Sequence, residues 1–162
     1  MGERRDKKIQ LAPHVLQPVA MVVQDITMHL HIPSKEAVRL ILLVAADDVP
    51  TLNRLAPYFW RSLQRGETMW IGHTEHADLQ QLIAPKGYSV ERVFTRMTRR
   101  ETEPIADISF ALASPLSHAG AALLTLATQD IRLLQKVAPQ FQFRSPYSLR
   151  EGSYLWGSGE KR

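Results

Sequence analysis

The sequence predicts a mainly α chain with short β segments. One strand-helix-helix unit occurs twice, and the two copies pack as a single-chain pseudo-dimer. The first observation behind this is an internal repeat. Displacing the chain by 82 residues gives twelve identities over the 35 positions 25–59, where average composition gives roughly two by chance. Asp25 and Ile26 meet Asp107 and Ile108, Leu30 meets Leu112, Pro33 meets Pro115, Asp48 meets Asp130 and Phe59 meets Phe141. With a small insertion the match resumes at Ser148, Gly152 and Trp156, opposite Ser62, Gly66 and Trp70. The second observation is that each copy runs from an alternating segment into two helical patterns broken by proline. The third is size: a unit of about 75 residues is near the lower limit for burying a core alone, so two copies gain by packing together. The expected organisation is repeat 1 over 1–72, a linker over 73–87 and repeat 2 over 88–162, the repeats forming one domain.

In copy one, Lys8-Ile9-Gln10-Leu11-Ala12 alternates polar and apolar residues as a half-buried strand does, and a loop through Pro13 follows. Val19, Val22, Val23, Ile26 and Leu30 then mark one helical face, with Pro18 in the first turn. Pro33 ends that helix, and Ser34 is placed to cap a second one running through Ala37 to Asp48. This second helix is apolar nearly all round, with Arg39 its lone internal charge. In copy two, Glu91-Arg92-Val93-Phe94-Thr95-Arg96-Met97 reads as a strand. Thr102-Glu103-Pro104 reads as a helix start, with Ile105, Ile108 and Leu112 on its apolar face. Ser114-Pro115 breaks it, and Ser117 is placed to cap the next helix. Arg65-Gly66 and Glu151-Gly152 read as turns followed by extended segments containing Trp70 and Trp156. The 73–87 linker carries a short helical pattern of Ala77, Leu79, Leu82 and Ile83.

The long second helices differ where Val38, Arg39 and Leu40 correspond to Gly120, Ala121 and Ala122. If these helices cross, bulk on one fills space left by the other, which favours pairing copy one with copy two.

Composition narrows the function classes. The absence of cysteine rules out disulfides and thiolate metal sites and suits a reducing cytosol. The apolar run at 40–46 is too short to cross a bilayer, and no signal-peptide pattern follows the charged N-terminus. A cytoplasmic, non-membrane protein is expected. The net charge of +4 permits a polyanionic partner without requiring one.

The stretch Lys7-Lys8-Ile9-Gln10-Leu11, with Ile32-Pro33-Ser34-Lys35-Glu36-Ala37 opening the second helix, resembles the half-motif of the ribbon-helix-helix family. Arg92-Val93-Phe94-Thr95-Arg96-Met97 and Ser117-His118-Ala119 resemble a second copy. The likeness covers about 45 residues of each repeat. A fused pair is similar to the tandem ribbon-helix-helix accessory proteins of conjugative plasmids. Two features depart from the family pattern: His31-Ile32-Pro33 and Ala113-Ser114-Pro115 stand in the inter-helix turns where the family usually has glycine, and the Trp-containing tails lie outside the minimal motif.

The resemblance implies sequence-specific double-stranded DNA binding, by a transcriptional regulator or a transfer-origin accessory factor, with a two-stranded ribbon in the major groove. Lys8 and Gln10 from one strand, with Arg92, Phe94 and Arg96 from the other, are the implied base-reading residues. The N–H groups opening the second helices at Ser34, Lys35, Ser117 and His118 are implied phosphate holders. Arg4, Arg5, Arg99 and Arg100 would add non-specific attraction. Because the two strands differ, the site read should be asymmetric. Taken singly, each charge reads equally well as part of an ordinary solvated face.

The cluster of His73, Glu75, His76 and Asp78 has the ligand types for a divalent metal, but a polar linker explains it more simply. Neither a metal nor any other cofactor is expected. Asp48 and Asp130 suit a helix-end or inter-copy structural role better than acid-base chemistry. No phosphate loop, nucleophile elbow or zinc motif occurs, so no enzyme is predicted. Trp70 and Trp156 read first as core residues, each closing the bottom of its own helix pair. The competing reading is a helical protein-interaction module gripping its partner through their tails. A higher oligomer is compatible with either reading.

Overall fold

The computed structural model describes residues 7–143. Within them β1 (Ile9–Leu11) and β2 (His14–Leu16) lead into α1 (Gln17–Leu30), α2 (Ser34–Ala45) and α3 (Val49–Leu55), which ends in a 3-10 turn, Ala56–Tyr58. A hairpin of β3 (Leu63–Arg65) and β4 (Thr68–Trp70) and the short α4 (Leu79–Ile83) follow. Then come β5 (Val90–Arg92), β6 (Thr95–Met97), α5 (Arg99–Leu112), α6 (Leu116–Ala127) and α7 (Ile131–Val137). The fold is therefore mixed α/β, dominated by seven α-helices among the described residues, with short strands pairing antiparallel.

Strands from the start and from the middle of the described chain make one ribbon. Ile9, Gln10 and Leu11 face Met97, Arg96 and Thr95, while His14, Val15 and Leu16 face Arg92, Glu91 and Val90. From Leu11–Thr95 to His14–Arg92 each strand advances by the same number of residues, so the register runs through without a bulge. Between them the Val93 N–H donates to the Pro13 carbonyl at 2.9 Å. Proline has no N–H with which to return that bond, which is why the ladder is interrupted there. The loop expected at Pro13 is thus one weakened rung, and the ribbon continues to Leu16.

Six helix starts fall into two series. Gln17, Ser34 and Val49 open α1, α2 and α3, and Arg99, Leu116 and Ile131 open α5, α6 and α7, each 82 residues later. The turns between the paired long helices also correspond. His31 (φ 57) and Ala113 (φ 53) are both left-handed, and they are the described non-glycine residues with positive φ. The backbone requirement that glycine meets elsewhere is present here, but His and Ala fill the positions at a steric cost.

The core is built around α6, whose residues 119–127 are all buried. It packs against α2, α5, both ribbon strands of the first half, α3 and α4, while α7 packs on α2. The two series of helices therefore interlock. Gly120 lets α6 approach the ribbon: a Cβ there would sit 3.4 Å from the Leu11 side chain and 3.6 Å from that of Pro13. The expected linker also contributes to the core, since α4 buries Leu79 and Ile83.

Several boundaries differ from expectation. Ser34 and Ser117 do not cap their helices. Pro33 and Pro115 occupy the cap positions with extended backbone and no side-chain bond, and their carbonyls accept the first helical N–H groups. Helix α5 starts three residues before Thr102, because Thr98 and Glu101 form a reciprocal capping box, and Pro104 lies inside the helix. Helix α2 stops at Ala45 instead of reaching Asp48, whose carboxylate caps α3 by accepting from the Thr51 N–H at 3.1 Å. Asp130 caps α7 in the same way.

Trp70 is buried, and its Nε1 donates to Asn53 Oδ1 at 2.8 Å. It closes its own helical layer, so it is not the exposed anchor that the partner reading needs. Trp156 lies outside the described residues. The hairpin turn has Gly66 at φ 58. Gly72 is needed for close approach, since a Cβ there would fall 2.4 Å from the Trp60 carbonyl oxygen.

The Asp48 side chain also accepts from Arg132 at 2.7 Å and from Lys136 at 3.3 Å, tying α3 to α7. Burial pushes its pKa up, but hydrogen bonds from Arg132, Thr51 and Lys136 outweigh this and hold it well below the usual carboxylate range. A carboxylate depressed on folding stabilises the fold above its unfolded pKa, and that stability is lost as pH falls through the folded value. Asp48→Ala should cost about 2–3 kcal/mol at neutral pH, from a lost cap and unmade charged hydrogen bonds. Denaturant titration should also show Asp48→Asn flattening the loss of stability below about pH 4. At the other special position, Ala113→Gly should raise stability by about 0.5–1 kcal/mol in thermal melts by relieving the left-handed backbone.

Candidate nucleic-acid interface

Ribbon side chains alternate between two faces. Leu11, Val15, Thr95 and Met97 are buried against the helices, and Ile9 and Val93 are half-buried. On the opposite face Lys8, Gln10, His14, Arg92 and Arg96 are exposed, and Phe94 is half-buried among them. All five implied base-reading residues therefore share one outward surface. The register places Gln10 directly across from Arg96 and His14 directly across from Arg92. Continued between the two ladders, it sets Ala12 opposite Phe94 at the midpoint. The Arg96 guanidinium carbon lies 5.8 Å from the Phe94 ring centroid, so the half-buried Phe94 supports the arginine's position.

His14 is the member of this face that the sequence reading missed. Its signal was in the repeat: a shift of 82 residues carries His14 onto Arg96 and Gln10 onto Arg92. The interruption at Pro13 concealed it. The antiparallel pairing places Gln10 and Arg96 at the same end of the ribbon.

The charge on this face is open to a partner. Among the described residues neither Arg92 nor Arg96 forms an ion pair. Lys8 is partly committed, since its charge helps hold the Glu101 carboxyl down. Glu101 is set mainly by Arg39, whose hydrogen bond lowers its pKa against the opposing effect of burial. Arg39 also donates to Glu36 at 2.8 Å, linking the first turns of α2 and α5 beneath one end of the ribbon. The Thr95 hydroxyl donates to the Lys35 carbonyl at 2.7 Å and fastens β6 to the start of α2.

The flanking positions fall on helix N-termini. Ser34, Lys35, Arg99 and Arg100 are exposed, whereas Ser117 and His118 are half-buried. In α2 the amides of Ser34 and Lys35 precede the first residues that bond to the Pro33 carbonyl. In α6 the His118 amide already donates to the Pro115 carbonyl at 2.9 Å, so the corresponding open pair is Leu116 and Ser117. Arg4 and Arg5 lie outside the described residues.

The polar cluster of the 73–87 segment is on another surface. His76 stacks on Trp60 with ring centroids 4.2 Å apart, and its Nδ1 is 3.1 Å from the Ala77 carbonyl. Among the described residues no three of His, Asp and Glu converge as a metal-binding group. No single described helix is long and apolar enough to cross a membrane.

Comparison with protein-family models, with curated proteins and with solved structures yields no match.

Proposed function

We propose that this chain is an internally duplicated, single-chain pseudo-dimer of the ribbon-helix-helix kind that binds double-stranded DNA in a sequence-specific manner through its ribbon. The observation that carries this reading is the self-consistency of the ribbon under the repeat. Shifting each strand by 82 residues turns the pair Ile9–Met97 into Glu91–Val15, and Gln10–Arg96 into Arg92–His14, and both are observed pairs. A pairing that maps onto itself is what an approximate two-fold axis through Ala12 and Phe94 requires. The second support is chemical. The outward face carries arginine, glutamine, histidine and lysine around one aromatic ring, and among the described residues Arg92 and Arg96 form no ion pair.

A two-stranded ribbon fits the major groove, where arginine matches guanine O6/N7 and glutamine matches adenine N6/N7. The open amides at the starts of α2 and α6, with Lys35, Arg99 and Arg100, would grip the phosphates on either side. In this reading the protein acts as a transcriptional regulator or as an accessory factor at a plasmid transfer origin. The competing reading, a protein-interaction module, is supported by the exposure of Trp60 (57%) and Phe110 (63%). It loses support from the burial of Trp70.

Band-shift titration of a selected duplex at two salt concentrations tests the proposal. Affinity should fall steeply with salt, and an affinity indifferent to salt would sink it. Arg96→Ala should change stability by less than about 0.5 kcal/mol. It should weaken specific binding by about 1–3 kcal/mol and relax preference at one base pair. Leu11→Ala, at a position 3% exposed, should do the reverse and cost about 2–5 kcal/mol of stability.

A further inference from the structure

Both arginines of the reading face come from one strand, β5–β6, and their cross-strand partners are not equivalent. Gln10 faces Arg96 and His14 faces Arg92. An amide and an imidazole present different hydrogen-bonding groups. Gln10 offers one acceptor and two donors on a flexible stem, whereas His14 offers a rigid ring with two nitrogens. The two ends of the ribbon are therefore chemically distinct although their backbones correspond. Gln10 and His14 are four positions apart, a span of about 13 Å at the strand rise. That is on the order of four base-pair steps at 3.4 Å each.

We infer that the ribbon binds its duplex in one orientation only, with His14 as the residue that sets specificity at the Arg92 end. This rests on the DNA-binding reading and deepens it. The ligand is a short non-palindromic duplex carrying a guanine near each end, one for each arginine. At the Gln10–Arg96 end the neighbouring preference is adenine, because glutamine can pair with both N6 and N7 of that base. At the His14–Arg92 end the imidazole makes a single hydrogen bond, so the neighbouring preference differs. Ala12 and Phe94 at the midpoint bring no charge, and the ring there suits a thymine methyl. Reversing the duplex exchanges the two ends and leaves Gln10 and His14 each against the wrong base.

Selection from a random duplex pool, carried out on the full chain and two variants, tests this. The wild-type protein should enrich a non-palindromic site. His14→Ala should keep the preference at the Gln10–Arg96 end and flatten the other, lowering affinity for the wild-type site about five- to hundredfold. The double variant Gln10→Arg/His14→Arg gives both ends two arginines and should enrich a site whose outer positions are palindromic. Thermal melts of both variants should match wild type, since both positions are exposed. A palindromic wild-type site overturns the inference, as does a selected sequence unchanged by His14→Ala. A double variant that still selects unlike ends overturns it too. If the wild-type protein enriches no sequence at all, the DNA-binding reading fails and takes this inference with it, a result distinct from the other three.

Discussion

A two-stranded ribbon has no independent stability in water and must lie on something apolar. Here that support is α2 beneath β6 and α6 beneath β1 and β2, and most of the architecture follows from seating the ribbon on these two helices. Leu11, Val15, Thr95 and Met97 turn inward toward the helices. Gly120 allows Leu11 and Pro13 to come close to the α6 backbone. Seating one face fixes the other by the pleat, because a slip of one residue would exchange every inward and outward side chain. The exposed position of Gln10, His14, Arg92 and Arg96 is thus dictated by the burial of their neighbours.

The repeat made much of this legible in advance. The 82-residue displacement located the recurring helices and the two turns, and the alternation along the two strand segments carried the outward parity of Lys8, Gln10, Arg92, Phe94 and Arg96. What it did not reveal has identifiable causes. Helix α3 hid behind Asp48, since a carboxylate that ends one helix and caps the next looks like a simple terminus. The start of α5 hid in Thr98-Arg99-Arg100-Glu101, where adjacent arginines drew attention away from the capping box. Pro13 looked like a loop because proline is rare in central strands, yet in a ribbon it forfeits a single bond. The burial of Leu79 and Ile83 in the 73–87 segment could not be read from so short a helical pattern.

The polar interactions are distributed less evenly than the backbone. Arg39 links Glu36 and Glu101 on one side, while the residues corresponding to them in the repeat are Ala121, His118 and Val19. Asp48 gathers Arg132 and Lys136 from α7, whereas Asp130 serves chiefly as a cap. Arg65 reaches the Pro104 carbonyl at 2.7 Å and pins the β3–β4 hairpin to α5. Each of these braces ties an element of the first half to one of the second, so the interlocked core is reinforced across its own midline.

That both ribbon strands belong to one chain has a further consequence. When identical subunits supply the two strands, the folded state depends on protein concentration and every substitution appears twice. A ribbon closed within a single chain is independent of dilution, and each of its strands can change alone. The cost falls on kinetics: strands about eighty residues apart in sequence meet only after a large loop has closed, the kind of long-range contact that slows folding. The chain thus exchanges rapid local assembly for a paired ribbon that persists however scarce the protein becomes.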